Sequence, residues 1–214
     1  MIDIIVDLVP SSKYDLKCPY SMEAEFIIIH NTSNDASAKN EITNMKNNSL
    51  STSFHYAVDD IEIRQGIPLN RNTWNAGDGE RGPGNRKGIS IEICYSKSGG
   101  ERFDKAEENA ARLTAWLLKE RNWGIDKVKK HQDFSGKYCP HRTLDLGWER
   151  FLDKVKKYMN TNTEQELTSV NDIVWELNHR GIITDTNLWL NKLEQDEDVY
   201  WLARKTVSYI QSYN

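Results

Sequence analysis

The chain has 214 residues, room for one ordinary domain and a small second one. Hydrophobic residues make up 38% and charged residues 28%, which suits a soluble protein with a real core. A net charge of −4 carries no basic surplus and gives no reason to expect a nucleic-acid partner.

Residues 1–10 include Asp3 and Asp7 and hold neither a basic leader nor a long apolar run. No signal peptide and no membrane span are therefore expected. Phe26-Ile27-Ile28-Ile29 is a short apolar run that ends in polar His30-Asn31-Thr32, so it reads as a buried strand delivering His30 at its end. Residues 37–47 carry helix formers, with Ile42 and Met45 spaced for one face. The stretches 53–58 and 61–65 alternate around Asp59-Asp60, which predicts a hairpin. Residues 69–87 are rich in Gly, Asn and Arg without periodicity, the pattern of a long functional loop.

A second strand is expected over 89–95, with Glu92 inside it. A long helix begins at Asp104, follows Ala106, Ala110, Leu113 and Leu117, and ends at Gly124. Val128 leads into a segment, 131–142, dense in His, Gly, Lys, Cys and Pro, and a closing helix covers 148–158. Together these predict an α/β domain with a mixed sheet over residues 1–159.

Residues 160–166 are polar and read as a linker. Beyond it, Val170, Ile173, Val174 and Leu177 make a helical stripe that stops at Gly181, and short helices follow over 188–193 and 198–210. Residues 167–214 are thus expected to form a small all-helical domain, barely large enough to bury a core. Charge supports two units: Lys and Arg against Asp and Glu number 24 to 23 over 1–160 (+1) and 4 to 9 over 161–214 (−5). The tail also holds Trp175, Trp189, Trp201, Tyr200, Tyr209 and Tyr213. These aromatics either fill a very small core or form a binding surface, and the sequence leaves both readings open.

Three cysteines, Cys18, Cys94 and Cys139, are odd in number and form no close pair, so reduced thiols and a metal thiolate are expected rather than a disulfide framework. A catalytic zinc takes three protein ligands and keeps one position open. His30, His131 and Cys139 are of the right types, but scattered His and Cys do not by themselves define a site. His55 and His141 remain competitors on residue type alone.

Several stretches share a pattern: His30-Asn31-Thr32, Ser53-Phe54-His55-Tyr56-Ala57-Val58-Asp59-Asp60, Trp74-Asn75-Ala76-Gly77-Asp78 and Gly82-Pro83-Gly84-Asn85-Arg86. Ile89-Ser90-Ile91-Glu92-Ile93-Cys94-Tyr95 and the run from His131 through Lys137 and Cys139 to Arg142 continue it. In this order they resemble the type-2 N-acetylmuramoyl-L-alanine amidases, which share a fold with peptidoglycan recognition proteins and phage amidase-type lysozymes. The likeness is greatest to phage endolysins of Gram-positive bacilli and clostridia.

The resemblance implies Zn2+ as cofactor, with His30, His131 and Cys139 as ligands. It places a catalytic glutamate at Glu92 and a catalytic lysine at Lys137. Some phage relatives carry a tyrosine near the metal where this chain has Phe54; either Glu92 does that work or Tyr56 serves two positions later. Asn31, Trp74, Asn85 and Arg86 are expected on loops rimming the cleft, as substrate-binding residues. Bacterial peptidoglycan is the implied partner, and the tail, which resembles short C-terminal modules of clostridial phage amidases, implies a secondary cell-wall polymer. An endolysin of this kind waits in the host cytoplasm until the membrane is opened. The competing readings are a non-hydrolysing recognition module on the same fold and a zinc peptidase cutting within the stem peptide.

Overall fold

The computed structural model describes residues 4–160 and 170–211, which fall into two compact units. The first unit runs β1 (Ile4–Val6), α1 (Tyr14–Lys17), β2 (Phe26–Asn31), α2 (Ala38–Asn47), β3 (Tyr56–Val58), β4 (Ile63–Gln65), α3 (Pro83–Lys87) and β5 (Gly88–Ile93). It continues with α4 (Gly100–Glu120), β6 (Val128–Lys130), α5 (Gln132–Ser135), α6 (His141–Asp145) and α7 (Trp148–Asn160). Its strands form one six-stranded sheet in the order β1-β4-β3-β5-β2-β6, parallel throughout except for the β3–β4 hairpin.

β2 and β5 lie at the middle of the sheet, which is why their sequences are nearly continuous in isoleucine: strands covered on both faces need apolar residues on both. Their register sets the chemistry. His30 lies opposite Glu92, and Glu92 lies opposite Ala57, so all three project from one face. Ile29, Ile91 and Tyr56 share the other face, where Arg121 at the end of α4 lies near Tyr56. α4 places Phe103, Ala106, Ala110, Leu113 and Leu117 in the core at helical spacing. It is also tied to α7 by Glu107, a fully buried carboxylate held by Arg150 and Lys154.

The differences from expectation are local. The long helix starts at Gly100 and stops at Glu120, several residues earlier at each end than the pattern indicates. The loop over 69–87 contains α3, whose N-terminus is organised by Pro83 and by the Asp78 carboxylate, which accepts from the N–H groups of Gly84 (2.6 Å) and Asn85 (3.2 Å). β1 has no counterpart in the sequence reading because its three residues gain strand geometry only by pairing with β4. Asn160, expected in the linker, is the last residue of α7, and the rest of the linker lies outside the described residues.

The second unit comprises α8 (Val170–His179), α9 (Thr186–Gln195) and α10 (Glu197–Gln211). Ile173, Val174, Leu177, Ile183, Leu193, Ala203 and Val207 form its core, with Trp189 and Tyr200 packed against it. Asp185 caps α9 by accepting from the N–H of Leu188, and Gly181 makes the turn after α8 at φ +68°. Trp201 is 51% exposed, so the tail's aromatics divide between core and surface; Tyr213 lies outside the described residues. Among the described residues no helix is long and apolar enough to cross a membrane.

Candidate metal centre and catalytic cleft

Two segments converge at the end of β2. His30 is carried by the strand itself, while His131 follows β6 and its N–H donates to the carbonyl of Ile29 (3.3 Å). The chain then turns through Gly136, at φ +73°, and returns so that the N–H of Gln132 donates to the carbonyl of Cys139 (2.9 Å). The eight-residue excursion from His131 to Cys139 is therefore closed by its own backbone. Ligating atoms of His30, His131 and Cys139 all lie within 4.8 Å of one another, and all three side chains are buried. Among the described residues no other group of three His, Cys, Asp or Glu side chains has this arrangement.

The Nδ1 atoms of His30 and His131 are 3.1 Å apart; the His131 ring also faces the Ala76 carbonyl, whereas the buried Nε2 atom of His30 has no hydrogen-bond partner. Buried polar atoms are rarely left so. Burial holds His30 well below the ordinary imidazole pKa, with help from the neighbouring His131 and Lys137; burial and Lys137 lower His131 in the same direction. Both rings are thus neutral at pH 7 and offer lone pairs. Burial and the nearby Glu92 push the Cys139 thiol up to about 11, opposed by hydrogen bonds from the backbone N–H groups of Asn31 and His141. Two neutral imidazoles and one sulfur with donors aimed at it suit zinc, which would favour the thiolate. The residues present fit that ion.

A cleft of about 1110 Å³ opens beside this cluster, lined among others by Phe54, Trp74, Asn75, Glu92 and Lys137. Glu92 Oε1 is 3.9 Å from His30 Nδ1 and accepts from the amide of Asn75 (3.1 Å). Burial pushes its carboxyl up to about 7, against the Asn75 hydrogen bond that lowers it. Asn75 also donates to Ser90 Oγ (2.5 Å). This residue was not singled out from the sequence; its only signal was its place in the Trp74-Asn75-Ala76-Gly77-Asp78 run. Lys137 is exposed at the cleft, and its charge reaches His30, His131, Glu92 and Cys139.

The four residues expected at the rim separate. Trp74 lines the cleft, edge-on to Tyr20 with ring centroids 5.9 Å apart. Asn85 also borders it, but its amide is engaged inward: Oδ1 accepts from the N–H groups of Asn75 (3.1 Å) and Ala76 (2.8 Å), and Nδ2 donates to Gly79 O (3.0 Å). Asn31 is likewise engaged by the scaffold, accepting from the N–H groups of Arg142 and Thr143. Arg86 does not line the cleft and stacks over the Tyr20 ring, 4.0 Å from its centroid.

Tyr56 lies in the core on the sheet face opposite Glu92, where burial raises its phenol well above the ordinary range. His55 Nδ1 accepts from the N–H of Ser90 (3.0 Å) and its Nε2 donates to the carbonyl of Arg71 (2.9 Å). His141 Nε2 faces the carbonyl of Ser96 at 3.2 Å. Neither histidine belongs to the cluster.

The family model for N-acetylmuramoyl-L-alanine amidase matches residues 20–142. The chain is 64% identical over 146 residues to the N-acetylmuramoyl-L-alanine amidase CwlA of Bacillus subtilis (strain 168), covering 68% of this chain and 54% of that protein. It is 58% identical over 165 residues to XlyB of the same organism, covering 77% of this chain and 52% of that protein. It therefore spans about half the length of each. Among solved structures, the PlyG catalytic domain superposes with a TM-score of 0.71 at 51% identity, covering 76% of this chain and 99% of that domain. With the motif order, the fold and these matches in agreement, the chain belongs to the N-acetylmuramoyl-L-alanine amidase family.

Proposed function

We propose that this chain is a zinc-dependent N-acetylmuramoyl-L-alanine amidase of the endolysin type. It hydrolyses the amide bond between the lactyl group of N-acetylmuramic acid and the first alanine of the stem peptide. The observation that carries the reading is the buried His30–His131–Cys139 cluster opening on a cleft that also holds Glu92 and Lys137. A non-hydrolysing recognition module has no need of this combination. His30, His131 and Cys139 would hold the ion, and bound zinc supplies Lewis acidity to a carbonyl and to water.

The rest is done by the chain's own side chains. Glu92 takes a proton from the attacking water and returns it to the departing alanine nitrogen, a task for which a carboxyl poised near neutrality is suited. Asn75 holds that carboxylate in place through its amide. Lys137 presents an ammonium where negative charge builds on the carbonyl oxygen. Trp74 offers an aromatic face for a sugar or peptide plane. The protein is held inside the host cell until the membrane is opened, and its substrate is the wall beyond.

Mass spectrometry of digested cell walls tests the reaction. An amidase releases stem peptides with a free N-terminal alanine and leaves the lactyl group on the glycan. New termini within the stem would establish a peptidase, and intact walls a recognition module. Metal analysis should find about one zinc per chain, as a three-ligand site of this kind holds. Activity should vanish with a chelator and return with zinc, and His30→Ala and His131→Ala should each lose both metal and lysis.

A further inference from the structure

Asn31 follows His30 in β2, is 5% exposed and borders the cleft, yet its side-chain hydrogen bonds all go to the scaffold. Its Oδ1 accepts from the N–H groups of Arg142 (2.9 Å) and Thr143 (3.2 Å). Its Nδ2 donates to the carbonyl of His30 (3.2 Å) and to Thr143 Oγ1 (3.3 Å). Arg142 and Thr143 lie in the first turn of α6, whose own N-cap position is Pro140 and supplies no side-chain cap. Asn31 therefore caps α6 from a strand more than a hundred residues away in the chain, satisfying N–H groups a helix cannot pair internally. Only Pro140 separates α6 from Cys139, and the backbone of Asn31 lies beside the Cys139 sulfur.

We propose that Asn31 is a positioning residue for the metal centre, locking the loop that carries Cys139 to the strand that carries His30. The inference rests on the metal-centre reading above. A ligand on a loop contributes most when the loop is held in its binding geometry before the ion arrives. Asn31 supplies that hold with one side chain that touches both ligand segments. The amide oxygen holds α6 by two backbone N–H groups, and the nitrogen bridges from Thr143 of α6 to the His30 carbonyl. Supporting residues of this kind alter metal affinity by about 10- to 100-fold when removed.

The experiment compares full-length parent, Asn31→Ala, Asn31→Asp and Ser37→Ala. Asp keeps an oxygen acceptor for the α6 N–H groups, whereas Ala removes it. Ser37 caps α2 by accepting from the N–H of Asn40, away from the ligands, so its loss measures what a missing cap does in general. Zinc affinity is read by competition with a chromophoric chelator, and hydrogen exchange at Arg142 and Thr143 is read on metal-free protein. Asn31→Ala should weaken zinc binding by about 10- to 100-fold and speed exchange at both amides. Asn31→Asp should recover most of both, and Ser37→Ala should bind zinc like the parent. Parent-like affinity in Asn31→Ala, no recovery in Asn31→Asp, or an equal loss in Ser37→Ala would each overturn the inference while the metal-centre reading stood. A parent chain that takes up no zinc would remove that reading and this inference with it.

Discussion

A carboxylate largely withdrawn from water costs free energy unless something nearby favours its charge, and Glu92 has Asn75 in contact and Lys137 across the cleft. Replacing Glu92 by Gln preserves shape and the Asn75 contact while removing the base. Turnover should fall by about 100- to 10,000-fold with zinc retained, the usual range for a lost general base. A near-parental rate would move proton transfer elsewhere, and Tyr56 is not a ready substitute because it faces the other side of the sheet. Lys137→Met should also slow the reaction with the metal in place, by about 100-fold if it stabilises an oxyanion. Loss of zinc in that variant would instead assign Lys137 to support of the His131–Cys139 loop. At this scale the sequence showed which residue types could bind metal, and the family pattern ordered them. It did not show where amides point. Asn31, Asn75 and Asn85 look alike in the chain, yet one caps a helix, one faces the carboxylate and one pins a loop.

Elements long enough to carry a period were legible: β2, β5, α2, α4 and α7 follow from isoleucine runs and helical spacing. β1, α3, α5 and α6 were not, because three to five residues hold too little pattern and these pieces form through distant partners. His55 illustrates such joining, since its two ring nitrogens link β5 to the backbone at Arg71 only while the ring is neutral. Burial lowers its pKa from 6.5 to about 4. The unfolded chain therefore takes up a proton that the folded chain refuses. Stability from this group is complete above pH 6.5 and is lost as pH falls towards 4, by up to about 3 kcal/mol. Urea unfolding at pH 7 and pH 4.5 should show a smaller pH-dependent loss for His55→Gln than for the parent. Equal losses would mean that His55 is protonated within the fold.

At the scale of the whole molecule, the two units differ in charge, +1 over residues 1–160 and −5 over 161–214, and each holds its own core. The PlyG catalytic domain, matched over 99% of its length by 76% of this chain, shows that a unit of the first kind stands as a separate structure. The second unit was legible as three helices but not in what its aromatics do. Trp189 and Tyr200 pack against its core, and Trp201 is half-exposed on α10 near Leu202, which is 68% exposed. We propose that residues 167–214 bind a secondary wall polymer. Residues 1–160 alone should then cut soluble muropeptide at the parental rate but lyse intact cells poorly, because the second attachment that raises local concentration is gone. Residues 161–214 on a fluorescent carrier should label walls of the host genus. The surplus of acidic groups argues against simple attraction to anionic wall polymers, so labelling should persist at moderate salt, where a Debye length of about 8 Å screens exposed charge. Trp201→Ala should weaken it, since a half-exposed aromatic is the kind of side chain that dominates such contacts. Unlabelled walls together with undiminished lysis by residues 1–160 would leave the helical unit a role in assembly or stability instead.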